Sequence, residues 1–506
     1  MTVLEVGKLI ENLSQSKTLG PDNIPSDLIK LSLPFIVEPL TYIYNLSIDK
    51  LVFPSPLKQA KVIPLPKTKD VSQPQNLRPI SLLPILSKPL ERYIHTHLYA
   101  HLEKFELLHP YQSGFRPQHS CHSALTNLID TWLKAIDEKQ FIGTVFLDFK
   151  KAFDLVNHHI LLKKLEQYFP NSTICQLIES YLSRRSQFVF LNSKSSESKR
   201  VNSGVPQGSV LGPLLFIIYI NDLPLHLNKD THNTLFADDA SIYAMNTDIN
   251  TVETCLQDSL SKAKLWCDQN SMIIHPEKTK CMIIATRQRE QRTRPKLKLK
   301  LENKNIEQVK NHKMLGVTID SELNWNQHIE NIFKRISKNI FLLTKLKKYA
   351  KIENLKLFFN AHILSHINYA STLYDGCSKD MLKQLNSIYR RAVKHLIFQP
   401  GLPTDDKLQK LKLLPLEKHL QYNKLILMQK IVNGKTPSYL TKLIKKSTIR
   451  LDSKNLITPP SRIDLYQTSL AFSGSQQWNK LPMELKKLTS LYSFKKRVHE
   501  HLLKNT

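Results

Sequence analysis

The chain has 506 residues, enough for several hydrophobic cores, and 41% of them are hydrophobic, as in an ordinary water-soluble protein. Its 72 basic residues outnumber 43 acidic ones, giving a net charge of +29 and an isoelectric point near 9.7. That excess points to polyanionic partners, while six scattered cysteines without paired spacing argue against a disulfide framework or structural zinc. No basic-then-apolar leader opens the chain, and the longest apolar run, Pro213–Ile220, is far too short to span a bilayer. The expectation is a soluble intracellular protein without a membrane partner.

Residues 1–50 carry helical, amphipathic spacing interrupted by the turn Gly20-Pro21-Asp22-Asn23. Prolines punctuate the next stretch (KVIPLPK at 61–67, NLRPIS at 76–81), and each drives the residue before it towards extended backbone. Strands and loops presenting Lys67 and Arg78 are therefore expected. Helices are predicted from about Lys88 to Phe105 and from about Cys121 to Glu138, with a turn at Tyr111–Pro117 (YQSGFRP) between them. His119 and His122 flank Cys121, but without a second ligand pair they read as surface histidines of that helix. The apolar run Thr144–Phe149 reads as a strand carrying Asp148. A helix through Ile160, Leu161, Leu165 and Tyr168 follows, then a hairpin-like segment at Phe188–Asn192. Ser203–Ser209 (SGVPQGS) opens an apolar helix to about Asn221.

Leu235–Tyr243 (LFADDASIY) reads as two short apolar strands with Asp238 and Asp239 between them. Adjacent carboxylates at a hairpin tip repel one another and are poor strand formers, so a compensating group is expected. A hard divalent cation such as Mg²⁺ suits carboxylate oxygen. With Asp148 at the end of another apolar run, three carboxylates on neighbouring strands make the usual site for two-metal phosphoryl transfer. An Asp-Asp pair on its own is more often an ordinary solvated turn, so the rest of the chain has to carry the metal reading.

Further on, Val252, Leu256, Leu260, Ala263 and Cys267 fall at helical spacing, and Met272–Ile284 reads as a turn at His275–Lys278 between strands. His312–Asp320 reads as strand and turn around Leu315-Gly316. From Trp325 the pattern is helical: Ile329, Ile332, Ile336, Ile340 and Leu343 form an apolar stripe, with Lys334, Arg335, Lys338, Lys345, Lys347 and Lys348 on other faces. Similar helices are expected at Asn354–Ala370 and Met381–Phe398, with a break at 400–403. Between Arg287 and Lys356 there are 18 basic and 7 acidic residues, a local surplus that fits a nucleic-acid track.

Taken in order, these segments resemble the reverse transcriptases of non-LTR (LINE-type, jockey-like) retrotransposons. The matching residues are Leu147–Asp154 (LDFKKAFD), Ser203–Pro213 (SGVPQGSVLGP), Leu235–Asp239 (LFADD), Gln112–Pro117 (QSGFRP) and the Leu315-Gly316 turn. The tail segment Trp478–Pro482 also looks like the C-terminal region of jockey-like elements. The resemblance implies an α+β right-hand polymerase fold, with fingers, an antiparallel palm sheet, a helical thumb and a helical C-terminal region. Applied to this chain, it divides into a helical extension at 1–50, fingers and palm at 51–320, a thumb at 321–400 and a tail at 401–506.

The resemblance also implies roles. Asp148, Asp238 and Asp239 would hold two Mg²⁺ ions (with Mn²⁺ as a substitute), helped by the Phe149 carbonyl. Lys67 and Arg78 would grip the triphosphate; Arg suits this through its bidentate fork. Phe153, five residues after Asp148, is placed as a steric gate against a 2′-hydroxyl, or equally as core. Gln207 and Gly208 would pack against the incoming base pair. Lys278 would protonate departing pyrophosphate, with Lys280 as competitor. Leu315 and Gly316 would form the primer grip, and Arg116 either steadies the template or bonds within the fingers. Lys334, Arg335, Lys338, Lys345 and Lys348 would track the template–primer backbone.

Some positions depart from the pattern: His275-Pro276 replaces the commoner Asn-Pro, Asn157 stands where an acidic residue is usual, and Gln118 replaces a usual Gly. The chain begins almost at the polymerase, without the usual N-terminal endonuclease, as expected of a truncated or split element. The expected function is RNA-directed DNA synthesis on an RNA template from a DNA primer or target, using dNTPs. The nucleus is the expected location when acting on target DNA, with the cytoplasm as alternative. A catalytically silent nucleic-acid-binding relic is the other reading; the intact aspartates favour the enzyme.

Overall fold

Local structure follows the hydrophobic spacing: the chain is 52% helical and 15% strand, so the α+β class read from the sequence holds. The computed structural model describes all residues except 16–17, 68–69, 71, 171, 398, 400, 448–453 and 505–506. Phe398 and Pro400, where one expected helix ends and the expected break begins, lie outside the described residues. No described helix is long and apolar enough to cross a membrane. The chain divides into two units, each built from separate stretches of sequence. One comprises Met1–Phe115, Phe149–Leu227 and Ser261–His275; the other comprises Arg116–Asp148, Asn228–Leu260 and Pro276–Thr506.

In the first unit, helices α1 (Val3–Glu11), α2 (Ser26–Leu31) and α3 (Leu33–Asp49) precede the sheet. The start of α1 is fixed by a capping box: Glu5 N–H donates to Thr2 Oγ1, and Thr2 N–H donates to the Glu5 carboxylate. The proline-rich stretch forms β1 (Gln59–Pro66) and β2 (Leu77–Leu82), an antiparallel pair. After α4 (Ser87–Lys104), the other strands of this sheet come from β4 (Arg185–Leu191), β5 (Lys194–Ser195) and β6 (Lys199–Val201). β4 runs parallel to β1 and antiparallel to β5 and β6. Helices α6 (His158–Tyr168), α7 (Ile174–Leu182) and α8 (Leu211–Ile220) pack the interior. Leu214 to Ile220 of α8 are all buried, which is why that helix reads as apolar on every face.

The second unit is organised around β3 (Phe141–Leu147), whose seven residues are all buried. It is flanked on both sides by antiparallel partners, β8 (Asp239–Asn246) and β9 (Lys280–Ile284). β7 (His232–Phe236) continues the sheet beyond β8, and the short strand Glu307–Gln308 pairs parallel to β9. Helix α5 (Cys121–Asp137) packs on this sheet, and one apolar core runs from Trp132 through Met282 and Trp325 to the long helix Asn326–Leu346. All five residues of the expected stripe, Ile329 to Leu343, are buried. The helix expected at Asn354–Ala370 differs in detail. It runs from Ile352, widens into a π-helical turn at Asn360–Leu364 and stops at Asn368, because Ala370 adopts a positive φ of 54°. A second core around Trp478 and Phe494 holds the C-terminal helices.

Candidate active site

In the second unit, register places the three aspartates at one end of the sheet. Leu147, the last residue of β3, pairs with Ala240, so Asp148 just beyond the strand comes level with Asp239, the first residue of β8. Phe236 pairs with Asp239 and closes the β7–β8 hairpin, leaving Ala237 and Asp238 as a two-residue loop. Asp239 therefore belongs to the strand, a refinement of the expectation that both aspartates lie between strands. Ala237 takes a positive φ of 55°, a conformation that costs a non-glycine residue about 1–2 kcal/mol. It is also buried, so the loop is held by its packing.

Electrostatics tie the three carboxylates together. Burial first, then the charges of Asp238 and Asp148, push the Asp239 carboxyl up to about 6. Asp239 is exposed as a residue, yet its carboxyl is crowded enough to feel both neighbours. The Asp148 N–H donates to Thr279 Oγ1 at 3.4 Å, which holds the end of β3 against the turn before β9. Among the described residues, no three side chains of His, Cys, Asp or Glu are gathered as a finished metal cage. The donor set nevertheless fits a divalent cation: hard carboxylate oxygens whose mutual repulsion raises Asp239.

The turn before β9 separates the two candidate lysines. Lys280 donates to the Glu277 carbonyl at 2.6 Å and to the Glu307 carboxylate at 2.7 Å, so its charge is engaged at the sheet edge. Lys278 is exposed in the same turn. Leu315 and Gly316 form the turn between strands Asn311–Met314 and Val317–Asp320, and the Tyr369 hydroxyl donates to the Leu315 carbonyl at 2.5 Å. Arg116 is half-buried and engaged with other groups of the protein. Lys334, Arg335, Lys338 and Lys345 are exposed on the helix Asn326–Leu346, off its buried stripe, with the exposed Phe341 ring among them, and Lys348 is exposed in the turn just after it. His122 donates to or accepts from Thr372 Oγ1 at 2.5 Å.

In the first unit, the β1–β2 hairpin brings Lys67 and Arg78 together. Arg78 pairs with Leu65, and the Lys67 N–H extends the ladder by donating to the Asn76 carbonyl at 2.8 Å. Both side chains are exposed at that end of the hairpin. Phe149 is buried and bridges Ile274. Phe153 is half-buried, stacked on Phe216 at 4.3 Å and edge-on to Phe115 at 6.1 Å, so it has a packing role whatever else it does. The Gln207 side-chain amide donates to Asp154 at 2.8 Å, and the Gln207 main-chain carbonyl accepts the Ser81 N–H of β2 at 2.8 Å. At Gly208 (φ +136°) a Cβ would lie 2.3 Å from the Ser81 carbonyl oxygen. The close approach that requires this glycine is thus to β2 itself.

Sequence reasoning passed over Glu91, which is fully buried on α4. Its carboxylate accepts the N–H groups of Val210 (2.8 Å) and Leu211 (3.2 Å), capping α8 just after the Gln207 turn. Desolvation raises its pKa, offset by those N–H groups and by the Arg185 charge. The available signal was a lone acid on the buried stripe Ser87, Glu91, Ile94, Leu98 and Leu102. Thr279 and Asp154 were passed over as well.

Comparison with known proteins agrees with the resemblance. The family described as reverse transcriptase (RNA-dependent DNA polymerase) matches residues 65–319. The chain is 31% identical over 339 residues to the RNA-directed DNA polymerase from mobile element jockey of Drosophila melanogaster, covering 66% of this chain and 36% of that protein. It is 27% identical over 398 residues to the probable RNA-directed DNA polymerase from transposon X-element of the same organism, covering 77% and 43%. Among solved structures, apo telomerase from Candida tropicalis aligns with a TM-score of 0.42 at 13% identity, over 80% of this chain and 68% of that one. The chain thus spans well under half the length of these curated relatives. The right-hand polymerase class expected from the sequence is the fold of the matched family. The chain belongs to the reverse transcriptase family, and within it is similar to the polymerases of jockey-type non-LTR elements.

Proposed function

We propose that this chain is an RNA-directed DNA polymerase that extends a DNA primer on an RNA template with dNTPs. The observation that carries the reading is the run of three carboxylates at one sheet end, with Asp239 raised to about 6 by burial and by its two acidic neighbours. Two divalent ions held by Asp148, Asp238 and Asp239, Mg²⁺ or in its place Mn²⁺, would supply the charge that acidifies a primer 3′-hydroxyl and offsets the leaving pyrophosphate.

The chain's own residues do the rest. Lys67 and Arg78 bind the triphosphate from the end of the β1–β2 hairpin, Arg78 through its planar fork. Phe153 closes the space a 2′-hydroxyl would need, its ring held by Phe216 and Phe115. Gln207 and Gly208, fastened to Ser81, present a fixed surface to the nascent base pair. Lys278 gives a proton to pyrophosphate, because Lys280 is already committed to Glu307. Leu315 and Gly316 steady the primer end, and the exposed cations of helix Asn326–Leu346 follow the duplex backbone. Work at target DNA would place the protein in the nucleus.

The test is template-dependent dNTP incorporation by the purified chain on an RNA template with an annealed DNA primer, with and without Mg²⁺. Metal-dependent extension that stops when the template is omitted is the expected result. Binding of RNA without extension would make the chain a silent nucleic-acid-binding protein instead.

A further inference from the structure

One acid of the first unit has a place in none of these roles. Asp154 ends the LDFKKAFD segment, one residue after Phe153, and is half-buried. Its Oδ1 accepts Nε2 of Gln207 at 2.8 Å. A carboxylate accepts hydrogen bonds and donates none, so the amide nitrogen of Gln207 must be the atom turned towards it. The amide is thereby fixed in one of its two flips. Its Oε1 and its second N–H are left facing away from Asp154, available to a ligand.

The surrounding backbone is built to keep that bond. The Val205 N–H donates to the Phe153 carbonyl at 2.9 Å, and Ser203 Oγ donates to the Asp154 carbonyl at 3.2 Å. Gly204 (φ +84°) packs so closely that a Cβ would lie 2.8 Å from the Asp154 carbonyl oxygen. The Gln207 main chain is held as well, its backbone carbonyl accepting the Ser81 N–H of β2, the strand that carries Arg78. A cavity of about 350 Å³ adjoins the turn; among the described residues Asp154 is the one carboxylate of its lining, which also includes Lys151, Arg185 and Arg200. A hydrogen bond to a carboxylate is charge-assisted and stronger than a neutral pair.

We propose that Asp154 is a positioning residue for nucleotide binding, acting through Gln207: it sets which face of the Gln207 amide meets the incoming nucleotide. The inference rests on the polymerase reading above. A hydrogen bond to a charged group accounts for about a tenfold change in affinity or more, and the effect belongs to nucleotide binding, since Asp154 touches no reacting atom.

Single-nucleotide addition kinetics on the full chain decide it. Asp154→Leu, similar in size but without an acceptor, should raise the KM for dNTP about tenfold while kcat stays within about threefold. Asp154→Asn keeps Oδ1 as an uncharged acceptor and should recover a good part of the loss, falling between Asp154→Leu and the parent. The double variant Asp154→Leu, Gln207→Leu should be no worse than Gln207→Leu alone, because the two act as one unit. An unchanged KM in Asp154→Leu, or effects that add in the double variant, would overturn the proposal. Where the Leu variant does not fold, Asp154→Ala is read against the same standards. Equilibrium binding of a non-incorporable dNTP analogue gives a readout that needs no catalysis. A parent that adds no nucleotide defeats the polymerase reading, whereas unchanged analogue affinity in Asp154→Leu defeats the positioning role itself.

Discussion

Asp130, midway along α5, accepts the backbone N–H of Leu470 at 2.8 Å, across 340 positions of sequence. The same carboxylate accepts the Ala471 N–H at 2.8 Å, so a single buried acid ties the tail to the helix that packs on the palm sheet. Desolvation pushes its pKa up to about 6, against the two N–H groups and the Lys424 charge. An acid raised in the folded state holds its proton more tightly there than in the unfolded chain. Its contribution to stability is therefore full below about pH 4 and is lost as the pH rises through about 6. In Asp130→Asn this titration is absent. The stability advantage of the parent over the variant should shrink by up to about 3 kcal/mol between pH 4 and pH 7. Denaturant midpoints of both proteins across that range test it; a difference that stays flat or grows with pH would contradict the assignment.

Asp238→Asn should abolish DNA synthesis while leaving RNA affinity nearly intact. The loss of one carboxylate removes a ligand from the cluster that raises Asp239, but hardly alters a surface carrying a net charge of +29. Extension and RNA binding are measured on the same preparation. Residual synthesis within about tenfold of the parent would remove Asp238 from the metal set.

Phe153→Val should admit ribonucleotides and narrow the dNTP-over-rNTP ratio of kcat/KM by orders of magnitude. The ring also stacks on Phe216, so a modest loss of stability, about 1–2 kcal/mol, should accompany the change. Lost stability with unchanged discrimination would leave Phe153 a packing residue only.

Neutralising Lys334, Arg335, Lys338, Lys345 and Lys348 to Gln should flatten the salt dependence of duplex binding. Each phosphate contact contributes roughly 0.9 to the log–log slope, and a fall of about two to four units is expected. Lys345 lies over the exposed Phe341 ring at 5.5 Å. Single-nucleotide addition should survive at high primer concentration, with processivity lost. A slope and affinity equal to the parent's would make these cations a solvated surface.

What could be read in advance was whatever has a short period or a local punctuation mark. The stripe from Ile329 to Leu343, the proline-marked strands and the LFADD hairpin all came out of spacing within a dozen residues. The bonds that hold the candidate site together do not. Glu91 reaches Val210 across 119 positions and Asp154 reaches Gln207 across 53, and no local pattern records such partners. Backbone strain was equally hidden: nothing in the sequence marks Ala237 or Ala370 as positions of positive φ, because packing around them imposes it. The π-helical turn at Asn360–Leu364 keeps a helical spacing on average, so it passed as an ordinary helix.

The palm sheet has one more property. Its β9 edge is covered by a short segment, Glu307 and Gln308 with the Val309 N–H donating to the Cys281 carbonyl at 2.8 Å, fastened by the Glu307–Lys280 ion pair at 2.7 Å. β9 is otherwise a strand of buried Cys281, Met282, Ile283 and Ile284. Unpaired, such a strand is a template for another chain, and a charged residue at the edge is a common safeguard. Fragments of this protein that end before residue 307 would display β9 bare. They should stick to one another through it, so shortening the chain past that point from its C-terminal side costs solubility.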